Sequence, residues 1–195
     1  LGQQDPQYTN NMFYKLGVNP GFAGSEDAIS GIILNRYQWS GFEGAPKTLA
    51  FSADAVVNLF GKPSGAGINI ISDELGPEKN VLVNLVYAWK TSLGAGDLGV
   101  GISLGMFNKS LNGPWEIPED DLGIFTPPGS DPAIPQGEVS QVAFDAGIGV
   151  YLKGINYYAG ASVTHVNQPA VRFSDLVSSY LARHYYLMGG YNIRL

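Results

Sequence analysis

The chain has 195 residues, enough for one domain with its own core, yet only 14% of them are charged, against about a quarter in soluble domains, too little to cover a water-facing surface. No apolar run approaches the roughly 18 residues of a transmembrane helix, which excludes a helical span and leaves open a barrel, whose strands need only about 9–11 residues with every second one apolar. The absence of cysteine excludes disulfides and thiolate metal sites, and a formal net charge of −6 offers no electrostatic footprint for nucleic acid.

The first 27 residues show no regular period. They open on LGQQDPQ, without a basic stretch followed by an apolar one, so a secretory signal is expected to have been removed or never to have been present. From there strands are expected over 28–39, 47–57, 65–73 and 79–90, the last with Val81, Val83, Leu85, Tyr87 and Trp89 on one face. The clearest alternation follows at 97–108, where Leu98, Val100, Ile102, Leu104 and Met106 alternate with Gly99, Gly101, Ser103 and Gly105. A soluble sheet would carry charged or bulky polar residues on its outward face, whereas this strand is apolar on one side and merely small on the other.

Six prolines then break the rhythm over 109–138, at 114, 118, 127, 128, 132 and 135, a density that no long strand or helix survives. The alternation returns at 142–152, 155–165 and 185–195. Val142, Phe144, Ala146, Ile148, Val150 and Leu152 form one face of the first of these, opposite Ala143, Asp145, Gly147 and Gly149. Glycine and proline punctuation near 41–46, 61–65, 76–77, 94–96 and 153–154 separates the strands. Aromatic pairs such as Tyr37 with Trp39, Tyr87 with Trp89, Tyr157 with Tyr158, and Tyr185 with Tyr186 fall toward strand ends, as interface girdles would place them. The fold class read from this pattern is all-β: an antiparallel transmembrane β-barrel of the outer-membrane type with about eight strands visible. Leu98, Val100, Ile102, Leu104, Phe144, Ile148 and Val150 are expected to face lipid.

Catalytic and metal-binding patterns are missing. His165 and His184 stand in no metal-binding spacing, Glu119-Asp120-Asp121 lacks the alternating ligands and central glycine of a calcium loop, and Gly65-Ala66-Gly67 is too short for a nucleotide fingerprint. No enzyme activity, cofactor or metal is expected. Inward positions carry few charges beyond Asp54, Asp145 and Arg194, which argues against a charged pore constriction.

Six ordered blocks carry a resemblance. They are QDPQYTNNMFYKLGVNPGFAGS at 4–25, YQWSGFEGAPKTLAFSAD at 37–54, GINIISDELGPEKNVLVNLVYAW at 67–89, DPAIPQGEVSQVAFDAGIGVYL at 131–152, INYYAGASVTHVNQP at 155–169 and HYYLMGGYNI at 184–193. Together they resemble the PorP/SprF family. The resemblance implies a bacterial outer-membrane barrel of the type IX secretion and gliding machinery that takes part in secretion or surface anchoring of adhesins. The implied partners are the secreted adhesin or its C-terminal domain, periplasmic secretion or gliding components and outer-membrane lipid, with no nucleic acid; a passive outer-membrane pore or small-solute transporter is the alternative. Where many members read Met-Phe-Asn-Pro, this chain has Met12-Phe13-Tyr14-Lys15. Members also continue with further strands after the last block, so the chain is expected to be part of a larger barrel, C-terminally incomplete.

Much of the shared pattern is turn chemistry whatever the function: Asp5-Pro6, Asn19-Pro20, Gly24, Gly44-Ala45-Pro46 and Gly76-Pro77. The irregular N-terminal segment and the proline-rich loop at 109–138 are left as the candidates for protein contact, through Tyr8, Phe13, Tyr14, Trp115 and Phe125, whose large apolar surfaces are costly to leave in water. The competing reading of the same segments is a plug packed inside the barrel.

Overall fold

A computed structural model describes residues 6, 8–42, 44–59, 61–94, 96–112, 139–172 and 178–193. Among the described residues there are ten strands: β1 (Ser30–Tyr37), β2 (Lys47–Leu59), β3 (Lys62–Leu75), β4 (Glu78–Leu93), β5 (Gly96–Leu111), β6 (Val139–Gly154), β7 (Tyr157–Thr164), β8 (Ala170–Arg172), β9 (Ser178–Tyr180) and β10 (His184–Tyr191). Eight form one antiparallel sheet in the order β1-β2-β3-β4-β5-β6-β7-β10, curled into a half-barrel, and β8 pairs with β9 in a separate ribbon. All eight expected strands are there, several longer than the alternation alone suggested. β5 runs to Leu111 because Lys109, Ser110 and Leu111 still pair with Asn80, Lys79 and Glu78 of β4, so the start of the expected proline-rich loop is strand. The rest of that loop, with Trp115 and Phe125, lies outside the described residues. Among the described residues no helix is long and apolar enough to cross a membrane.

The period-two pattern becomes two faces. Val100, Ile102, Leu104, Phe144, Ile148 and Val150 are all exposed on the convex face, as are Leu85, Tyr185 and Leu187. Leu98 is half-buried beside its cross-strand partner Leu152. In water such a surface would be costly, and in a bilayer it is the required one. The concave face carries Thr48, Ala50, Ser52 and Asp54 of β2, Asn69 of β3, Asn84, Val86 and Ala88 of β4, Ser103 of β5 and Asp145 of β6, all buried. A one-residue slip in any strand would exchange these two sets, so the register is strongly specified.

Connections differ between the rims. At one rim β2–β3, β4–β5 and β6–β7 join through the two-residue links 60–61, 94–95 and 155–156. The other rim holds the longer connections 38–46, 112–138 and 165–183 beside the tight β3–β4 turn. There, Gly44 and Gly76 adopt positive φ, and the Gly76 N–H donates to the Gly44 carbonyl at 2.9 Å, tying two connections together.

Two inserts occupy the concave side. From the short-turn rim comes the N-terminal segment, holding the one-turn helix α1 (Lys15–Val18) and the 3-10 turn Pro20–Phe22. Near the other rim lies the β8/β9 ribbon, which the sequence did not announce. Its strands are three residues each, too short to establish a period.

Candidate lumenal and partner-contact sites

Asn19-Pro20-Gly21-Phe22 folds as a capped turn because the Asn19 side chain accepts the Gly21 N–H at 2.9 Å while Pro20 fixes the first helical φ. That compact turn lies main chain first against the wall. A Cβ at Gly65 would fall on the Ala23 carbonyl, and one at Gly101 on the carbonyl of Pro20. Glycine is needed at both because two backbones meet there. Gly99 receives the Gly21 carbonyl in the same way, whereas Gly149 leaves room for the Asn19 side chain.

Wall side chains then grip the plug's main chain. Asp54 accepts the Gly24 N–H at 2.6 Å, the Ser162 hydroxyl donates to the Val18 carbonyl at 2.6 Å, and the Lys153 ammonium donates to the Ser25 carbonyl at 2.5 Å. In the other direction the Asn19 amide donates to the Val150 carbonyl at 3.0 Å, and the Tyr14 hydroxyl donates to the Asn69 side-chain oxygen. Phe22 meets Tyr151 edge-on with centroids 5.2 Å apart, within the range of favourable aromatic pairs. The Lys15 ammonium stands 4.1 Å from the Tyr158 ring centroid. Burial lowers the Lys15 pKa below the ordinary lysine value; Glu26 opposes this and Lys153 adds to it.

The five candidate contact residues separate. Tyr14 is buried, its ring 5.2 Å from that of the half-buried Tyr8, and both line the cavity on the concave side. Phe13 is 61% exposed with Met12 beside it at 58%. Trp115 and Phe125 fall outside the described residues, as does Arg194 among the expected inward charges. Asp54 and Asp145 do face inward and are buried. Sequence reasoning missed the grip residues Asn19, Lys153 and Ser162. The first was visible only as half of an Asn-Pro turn, and the other two lie on strands where nothing marks a lumenal partner.

Toward the long-connection rim, a cavity of about 990 Å³ lies between the plug and the ribbon, lined by Asn69, Asn84, Ser103, Asp145, His165 and His184 among others. His165 takes φ +53, turning the chain out of β7, and its Nδ1 lies 2.8 Å from the Asp145 carboxylate. The His184 ring packs edge-on at 5.8 Å. Beyond them Phe107 of β5 packs with Val171 and Leu181 of the ribbon and its flank, closing a small apolar cluster.

An antiparallel meander with an apolar convex face, a small and polar concave face and one rim of two-residue links defines a β-barrel protein of the bacterial outer membrane. The chain belongs to the family of type IX secretion system membrane proteins PorP/SprF, whose family model matches residues 1–195. No curated protein and no solved structure matches it. Membership makes the protein a membrane component of a secretion system, which operates through protein partners.

Proposed function

We propose that the protein takes part in secretion or cell-surface anchoring of adhesins, and that it contacts its protein partners at the rim carrying the longer connections. The observation that carries the reading is the asymmetry of the rims within this family: two-residue links on one side, and 38–46, 112–138 and 165–183 on the other. Outer-membrane barrels place short turns in the periplasm and longer loops outside, which puts these connections at the cell surface, where an adhesin is held. Trp39, at φ +52 and 69% exposed, and Phe42, at 77%, add large apolar surface to the first of them. Trp115 and Phe125 belong to the second. Phe13 is the exposed candidate on the N-terminal segment for contact with a periplasmic component or a closing wall, whereas Tyr14 is buried and bonded to Asn69 of the wall.

The role proposed is non-catalytic, in keeping with a family of secretion-system membrane components. The passive-pore alternative is disfavoured by the N-terminal segment seated on the concave wall of the short-turn half. The sheet edges β1 and β10 have no further neighbour among the described residues. An open edge is too costly in lipid to persist, so we propose that further strands complete the ring.

Deleting residues 113–134 while following barrel assembly and surface display of adhesin tests the assignment. Normal assembly with lost display is the expected result. Unchanged display in an assembled barrel would remove the loop as the partner site, and failed assembly would make it part of the barrel's packing.

A further inference from the structure

The N-terminal segment and the wall under it are mutually fitted. Lumenal glycines at 65, 99, 101 and 149 have no steric purpose facing water, yet each lies where plug atoms would overlap a Cβ. The bonds from Asp54, Ser162 and Lys153 all go to plug main chain, and the plug's own Asn19 returns one to the wall. Residues 14, 16 and 19–25 are buried against the wall, whereas residues 26–29, which link the segment to β1, are exposed, and Asp27 among them takes φ +53. A well-seated body on a short exposed connection is the geometry of a hinged stopper.

We propose that residues 14–25 are a built-in plug that holds the short-turn half of the lumen shut, so that the pore is latent and opens only when this segment leaves its seat. This inference stands apart from the adhesin reading, because it concerns passage through the barrel and not contact at its rim.

The test is planar-bilayer recording of the full-length protein purified from outer membrane. Gly101→Val puts a branched side chain where the Pro20 carbonyl lies. Asn19→Ala removes two hydrogen bonds without adding volume and replaces the first variant if that one loses the heat-dependent gel migration of a folded barrel. The wild type should be nearly silent and the folded variant should conduct at least about tenfold more as the unseated population rises. In the Asn19→Ala background, Val18→Cys with Ser162→Cys, bridged by a short thiol cross-linker, should restore silence. A wild type that conducts as strongly as the variants, a folded variant as silent as wild type, or a cross-linked protein that still conducts would each overturn the plug. Should neither variant assemble, the wild type decides alone: conduction from the start overturns the proposal, and conduction that appears only in urea below the barrel's unfolding point supports it.

Discussion

Both halves of the lumen hold an apolar side-chain cluster, around Phe22, Val86 and Tyr151 in one and around Phe107 in the other, but among the described residues the first adds main chain packed on glycine. Near the short-turn rim, main chain rests on glycine, and the bonds that hold it run from wall side chains to plug carbonyls and N–H groups. Near the long-connection rim, side chains meet side chains: Phe107 against Val171 and Leu181, with Leu82 and Ala143 packed around them. Backbone-on-backbone contact has no rotamers with which to adapt, while a side-chain cluster relaxes around a lost group. The first half should therefore be intolerant of added volume and the second chiefly sensitive to removed volume.

The largest effect is expected where that contrast is sharpest. Gly65→Leu directs a branched side chain at the Ala23 carbonyl and Gly24 nitrogen, neither of which can rotate away. The cost should exceed the roughly 1–3 kcal/mol usual for overpacking, and the plug should leave its seat. Trypsin cleavage after Lys15 reads this directly, and continued protection there would show that the wall yields instead. Phe107→Ala should come next, at about 3 kcal/mol in urea titration, the low end for phenylalanine truncation because its cluster is small. It should loosen the ribbon and leave Lys15 protected. Cleavage at Lys15 in this variant would mean that the halves are coupled.

What the sequence disclosed follows the same division. Alternation over 97–108 and 142–152 assigned both faces of β5 and β6, because a pleated strand turns every second side chain the same way and lipid accepts only one of the two sets. It could not say why the inward set is so small. Gly99 and Gly101 read as minimal lumenal residues, and only the arrival of residues 20 and 21, some eighty positions earlier in the chain, explains them. The ribbon escaped because Ala170–Arg172 and Ser178–Tyr180 are three residues each, too short for a period to show. The histidines showed only that they stand in no metal-binding spacing; that His165 reaches Asp145 depends on its positive φ, which few non-glycine residues adopt and which spacing does not reveal.

Asn19→Ala should rank third and belongs to the glycine-lined half. It removes the cap on Gly21 N and the bond to the Val150 carbonyl, two hydrogen bonds at about 1 kcal/mol each. Partial cleavage at Lys15 is the expected readout, intermediate between wild type and Gly65→Leu. Asn19→Asp keeps the cap acceptor but turns a buried carboxylate oxygen toward the Val150 carbonyl, so it should cost more than alanine. A smaller loss than alanine's would assign most of the effect to the cap.

The smallest effect tests whether the ribbon half depends on polar contacts as well. β7 pairs with β6 only over Ile148–Lys153 of the latter, which leaves the lower part of that edge open. Asn167 fills part of the gap: its amide donates to the Phe144 carbonyl at 2.6 Å and its side-chain oxygen accepts the Ala146 N–H at 3.1 Å, so one side chain imitates a strand neighbour. Beside it the Val166 N–H donates to the Ala146 carbonyl at 2.8 Å. Because Asn167 is exposed, water competes for the same groups, and Asn167→Ala should cost only about 1 kcal/mol. Hydrogen exchange should quicken at the Ala146 amide while amides beneath the plug keep their protection. Asn167→Asp retains the acceptor for Ala146 and should leave that amide slow. If Ala146 exchanges equally in both variants, its protection comes from the ribbon's bulk, and the long-connection half is held by packing alone.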